Sequence, residues 1–261
     1  MARRARSAGR GGRRPPDLTP IDTLTFGRLR GFDRLDGALL LLSVASSVAY
    51  GVTRGIQPFP GSVAIKALAM APLAVLGFRV LGRVEGETPN RWLVTVALLL
   101  SCAGDVFLHL SFRHYFVHAL VAFLLAHVTY VVLFARNWPR PLRPSASQIA
   151  LTILVVVYGA LMCSWLWTGL GRLAGPALAY AVAITAMVVS TILAGFSRPF
   201  IWIGALLFLI SDSLIAAGRF MLTVPLIGLL IWPTYYLGQY GIAIGFLREK
   251  AGADRAASLS G

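Results

Sequence analysis

Eight long apolar stretches, roughly 36–53, 61–82, 91–110, 115–135, 148–168, 176–195, 199–220 and 225–247, leave this chain few ways to fold. Each is close to the ~20 residues needed to cross a bilayer as a helix. In hydrocarbon the backbone must satisfy its own hydrogen bonds, which leaves helices or a closed barrel, and runs of this length select helices. Composition agrees, with 57% hydrophobic and 13% charged residues and a mean hydropathy of +0.74. A soluble domain of 261 residues would need far more polar surface. The sequence predicts an all-α, polytopic membrane helical bundle of about eight transmembrane helices over 36–247, with a basic tail at 1–35 and a short tail at 248–261.

The net charge of +14 suggests nucleic acid at first sight, but its distribution argues against that partner. Nine of the 24 basic residues precede residue 35, in a tail that begins MARRARSAGRGGRRPP. Such a segment has little to bury and is expected to be disordered, with the anionic cytoplasmic leaflet as its partner. A twin-arginine export signal fits poorly, because the first apolar run starts over twenty residues beyond the arginine cluster. With the N-terminus inside, nineteen Lys and Arg residues fall in inside segments and four (Arg54, Arg113, Arg172 and Arg219) in outside loops. That bias predicts a multi-pass plasma-membrane protein with both termini cytoplasmic. Arginine outnumbers lysine 22 to 2 and alanine is abundant, which suggests a high-GC bacterial genome.

Of ten acidic residues, only Asp105 and Asp212 are expected within the spans. Ionisable groups there are costly and mark function by default. They lie 14 and 13 residues from the inner starts of their helices, and so at matching depth. Lys66, five residues into the second span, reaches a similar layer, and snorkelling to the headgroups is the plainer reading of it. Ser101, Asp105 and His109 recur every four residues on one helix face, and His127 and Tyr130 are three apart. Tyr236, Gln239 and Tyr240 cluster on the last helix, and Tyr180 lies near the outer end of the sixth. Together these outline a polar pocket walled by apolar helices. LLLSCAGDVFL and ALLFLISDSLI align on their aspartates four helices apart, a weak sign of a parallel four-plus-four repeat.

Three function classes suit this inventory. One is hydrolysis by a carboxyl pair. The second is a proton-coupled transporter or lipid scramblase, since buried Asp, Lys and His also serve ion pathways. The third is an intramembrane zinc hydrolase using Asp105, His109, His127 and Asp212, or the i,i+4 pair His114 and His118. The quartet's spacing matches no compact zinc motif, and His114 and His118 fall at an outer helix end where interfacial histidines are common, so no metal or other cofactor is expected. Cys102 and Cys163 read as small apolar fillers.

The chain resembles the lysoplasmalogenase (YhhN-like) family of integral membrane proteins over about residues 36–247. The resemblance runs through IKALAMAPLAVL with Lys66, LLLSCAGDVFL with Asp105, and FVHALVAFLLAHVTYVVLF with His127 and Tyr130. It continues through PALAYAVAITAM with Tyr180, WIGALLFLISDSLIAAGRF with Asp212, and TYYLGQYGIAIG with Tyr236 and Gln239. Ala119 departs from the glycine the family shows in the fourth helix. The resemblance implies a lysophospholipid substrate whose vinyl-ether bond is hydrolysed to a fatty aldehyde and a glycerophospho-alcohol. The chemistry suits two carboxyl groups. Protonating the β-carbon of a vinyl ether gives an oxocarbenium ion, to which water adds. One carboxyl, kept protonated by burial, can supply the proton. A second carboxylate can stabilise the cation and activate water, as glycosidase carboxylates do. Asp105 and Asp212 are the expected catalytic pair, with Lys66, His127, Tyr130, Tyr180, Tyr236 and Gln239 supporting, and Lys66 keeping one carboxylate ionised.

Overall fold

The computed structural model describes residues 32–222 and 225–260. The basic tail expected at 1–35 lies, up to residue 31, outside the described residues. Eight helices follow one another among those described: α1 (Arg34–Val52), α2 (Ser62–Leu81), α3 (Thr88–Leu110), α4 (Phe112–Ala135), α5 (Ala146–Leu170), α6 (Ala174–Ala194), α7 (Pro199–Phe220) and α8 (Pro225–Ser260). Short 3₁₀ turns, Thr53–Ile56 and Gly171–Leu173, follow α1 and α5. α8 continues as one helix to Ser260, so the segment expected as a separate tail from residue 248 is helical up to that residue.

Helix boundaries follow from local sequence. α1 and α5 both open with a capping box, Asp33 with Asp36 and Ser145 with Gln148. α3 and α7 begin with proline in the first turn, where its missing N–H costs nothing. Gly195 ends α6 at φ 62°, a left-handed cap that glycine adopts without strain.

The expected eight apolar spans are corrected to seven. Six stretches have the length and hydropathy of a crossing helix, and one of them, Ala146–Ala194, contains both α5 and α6. α8 falls short because Thr234, Tyr235, Tyr236, Gln239 and Tyr240 break its apolar run. It nevertheless lies antiparallel along α7, where neighbouring helices bury Tyr235, Tyr236, Gln239 and Tyr240. A Cβ at Gly204 would come within 2.6 Å of the Gly238 carbonyl oxygen, and one at Gly245 within 2.8 Å of the Ile201 side chain. Small residues on α8 thus let two backbones touch. Near its far end, Lys250 pairs with Glu87 at 3.0 Å and Glu249 accepts from Ser197. The two ends of the helical region therefore lie at one basic end of the bundle.

That end holds an acidic residue that the sequence reading had placed outside the spans. Asp36 is fully buried in the first turn of α1. Arg79 Nε donates to it at 2.9 Å and Arg83 Nη1 at 2.5 Å, while both guanidiniums also reach Asp33. The Asp36 N–H, then Arg79 and Arg83, hold the Asp33 carboxyl below its ordinary range.

The contacts repeat under a shift of four helices. α3 packs along α4 as α7 packs along α8, and α4 meets α6 as α8 meets α2. The residue before each aspartate sits against the following helix. A Cβ on Gly104 would meet the Phe123 ring at 2.6 Å, and Ser211 donates to the Ile231 carbonyl at 3.0 Å. The weak sequence echo thus has a structural counterpart.

Candidate active site

The buried polar residues form two carboxylate clusters joined by a central pair. Asp105, 2% exposed on α3, has Lys66 Nζ of α2 at 3.3 Å from Oδ1. Its Oδ2 accepts a 2.6 Å hydrogen bond from Tyr235 of α8. Lys66 is 7% exposed and lies 5.4 Å from the Tyr50 ring centre and 5.6 Å from that of Trp232. It is an ion-pair partner enclosed by aromatics, not a residue snorkelling to the surface.

Asp212, on α7, draws its partners from α6 and α4. Tyr180 donates to Oδ2 at 2.5 Å, and His127 Nε2 lies 3.3 Å from the same oxygen and 3.0 Å from the Tyr180 hydroxyl. His127 is fully buried, and its Nδ1 has no partner among the described residues. Of its two neutral tautomers, the one protonated at Nε2 leaves a bare lone pair there rather than a buried, unpaired N–H, which is the cheaper choice. Asp212 Oδ1 makes no hydrogen bond among the described residues.

The clusters correspond under the four-helix shift, with Lys66 standing to Asp105 as Tyr180 stands to Asp212, and Tyr235 as His127. Between them Tyr130 donates to Gln239 Oε1 at 2.7 Å, and Gln239 Nε2 donates to Ser101 at 2.8 Å. These link α4, α8 and α3 at the centre of the bundle. Phe208 lies between the clusters, its ring 4.8 Å from His127 and 5.2 Å from Tyr235.

Environment separates the two aspartates. A mostly apolar cavity, partly open to the outside, lies among α3 to α7. Asp212 and Tyr180 are on its wall, beside apolar residues such as Phe123, Met162, Leu166 and Ile184. Asp105, Lys66, His127, Tyr130, Tyr236 and Gln239 lie off that wall. Tyr236 serves elsewhere, 2.9 Å from Ser43 Oγ.

His109 turns toward Tyr50 at 3.1 Å and Ser62 at 2.7 Å, so the quartet Asp105, His109, His127 and Asp212 does not converge. Among the described residues, no three His, Cys, Asp or Glu side chains are grouped as metal ligands. His114 meets Ser111, and His118 packs on Tyr115 and Phe107.

Tyr235 escaped the sequence reading, which took the Tyr236–Gln239–Tyr240 face. The available signal was the spacing Trp232, Tyr235, Gln239, which shares a helix face at intervals of three and four.

Fold and site together define a polytopic helical membrane protein with two largely buried carboxylates, one of them on the wall of an apolar cavity. The family model that describes this class of chain matches residues 61–246. The protein belongs to the YhhN family.

It is 37% identical over 174 residues to "Lysoplasmalogenase" of Mycobacterium bovis, an alignment covering 65% of each chain. It is 32% identical over 180 residues to "Lysoplasmalogenase TMEM86A" of Homo sapiens, covering 62% of this chain and 68% of the human one. The matched region thus spans just under two thirds of the bacterial relative's length. No solved structure matches the chain.

Proposed function

We propose that this protein is a membrane hydrolase that cleaves the vinyl-ether bond of lysoplasmalogens, releasing a fatty aldehyde and a glycerophospho-alcohol. The supporting observation is an apolar cavity whose wall carries the Asp212 carboxyl with one oxygen uncommitted. The names of the relatives point the same way.

In its protonated form Asp212 gives its proton to the β-carbon of the alkenyl group, and the adjacent carbon becomes an oxocarbenium centre. Tyr180 and His127 hold the other carboxyl oxygen, so the acid stays aimed at the cavity. A water oxygen then bonds to the cationic carbon, and its proton returns to Asp212. The hemiacetal breaks its bond to the glycerol oxygen, the hydroxyl proton passes to that oxygen, and the aldehyde departs. One carboxyl thus serves first as acid and then as base, a sequence known from glycosidases. Asp105 has both oxygens committed to Lys66 and Tyr235, and acts as a fixed anion across Phe208 from the developing cation.

Purified protein should be offered 1-alkenyl, 1-alkyl and 1-acyl lysophosphoethanolamines of matched chain length. The expected result is aldehyde from the alkenyl lipid alone, with one solvent deuterium at the carbon next to the carbonyl when the reaction runs in D₂O. Fatty acid from the acyl lipid would make the protein an esterase, and no product from any of the three would remove the hydrolase reading.

The same reading places the protein in the plasma membrane of a bacterium, with the basic end and both termini in the cytoplasm. It rests on α8 running antiparallel to α7 back to the basic end, where Lys250 meets Glu87, and on the nineteen-to-four basic bias. A C-terminal phosphatase fusion should be inactive and a C-terminal fluorescent-protein fusion bright; the opposite pattern reverses the orientation.

A further inference from the structure

The cavity walls are apolar, yet they reach an end of the bundle that carries cations. Phe116, Leu170, Leu173 and Phe220 line the cavity at the helix ends opposite the basic end. The sequence places Arg113, Arg172 and Arg219 at that end. Its loops (53–61, 111, 171–173 and 221–224) contain neither Asp nor Glu. An anion arriving there meets no carboxylate from these loops.

Arg219 is the best placed of the three. It follows Asp212 by seven residues on α7, about two turns and roughly 10 Å further along the same face. Ile215 and Ala216, between them, line the cavity. The Arg219 guanidinium lies 5.6 Å from the ring centre of Phe116, itself a wall residue. That contact sets the cation beside a residue of the cavity wall, about two helical turns from Asp212.

We propose that Arg219 binds the phosphodiester of the lysolipid headgroup and so sets the depth at which the ether carbons meet Asp212. The inference builds on the vinyl-ether reading above. A guanidinium offers two parallel N–H donors that match a pair of phosphate oxygens. Packing on Phe116 restrains its fork before the ligand arrives. The glycerol between ether oxygen and phosphorus spans roughly 6 Å at ordinary bond lengths, and the flexible arginine stem covers the remaining distance. The competing role is an interfacial anchor that snorkels toward any bilayer phosphate.

Arg54 supplies the control. It lies at the same end but rests over Gly228 of α8, a residue that does not line the cavity. The full-length protein is assayed in neutral detergent without phosphate or added phospholipid, so the substrate brings the only phosphodiester. Two substrates of equal chain length are compared, a 1-alkenyl-glycerophosphoethanolamine and the neutral 1-alkenylglycerol. Arg219→Gln is expected to raise KM for the phospholipid about tenfold or more, the usual size of a lost charge-assisted pair. It should move KM for the neutral lipid by less than about twofold, and Arg54→Gln should change neither. Equal effects on both substrates, or none on either, overturn the assignment.

Binding of the non-hydrolysable 1-alkyl lysophospholipid and 1-alkylglycerol gives a second readout that needs no turnover. There Arg219→Gln should weaken only the phospholipid, by a similar factor, and unchanged affinity refutes the site. If the unaltered protein cleaves nothing yet shows this selective loss, the vinyl-ether reading fails while the phosphate site stands.

Discussion

Asp212→Asn is expected to leave the protein folded while lowering turnover of an alkenyl lysolipid by at least roughly 10²–10⁴-fold, the range a general acid supplies. Asparagine has nearly the same volume, and its carbonyl oxygen can still accept from Tyr180, so packing around α6 and α7 has little reason to change. What disappears is the transferable proton beside the cavity. The check is aldehyde release under single-turnover conditions, with thermal melting in detergent to establish that the variant is folded. Solvent deuterium should slow the unaltered enzyme, because proton transfer to carbon is the expected slow step. His127→Ala should cost less, since its imidazole orients the carboxyl rather than meeting the substrate. Turnover retained in a folded Asp212→Asn variant would take that residue out of the chemistry. A histidine loss as large as the aspartate's would put the imidazole into it.

Much of this arrangement was legible before any coordinates. Helix positions followed from apolar runs, since a bilayer sets their length. That Asp105 and Asp212 lie nearly equally far along their helices follows from counting residues at a fixed rise. The partners of each carboxylate did not follow, because depth says nothing about which helices are neighbours. Lys66 could as well have snorkelled; its capture by Asp105 depends on α2 lying against α3, and Tyr235 reaches the same carboxylate only because α8 lies nearby. Asp36 was misread for a related reason. Its position at the start of a span looks solvated until Arg79 and Arg83, more than forty residues later, fold back over it. The asymmetry between halves was also out of reach. Sequence showed two similar motifs, whereas the Asp212 half opens on a cavity and Tyr50 and Trp232 close over the ion pair in the other.

That closed half yields the largest stability effect expected. Lys66→Met removes the ammonium 3.3 Å from Asp105 and leaves a buried carboxylate with Tyr235 as its one remaining hydrogen-bond donor. Breaking a buried pair from one side typically costs about 3–5 kcal/mol, much of it the penalty of the orphaned charge and not the worth of the bond. The methionine stem fills the space between Tyr50 and Trp232, so cavity formation contributes little. Adding Asp105→Asn should then restore most of the loss, because a neutral amide is cheap to bury and Tyr235 can still donate to its oxygen. Melting temperatures of the two single variants and the double variant, measured in one detergent, give the coupling as a double-mutant cycle. A coupling of more than about 2 kcal/mol is expected for a buried, oppositely charged pair. Additive losses would mean that Lys66 and Asp105 do not depend on each other, and that the aromatic enclosure alone keeps the lysine inside the bundle.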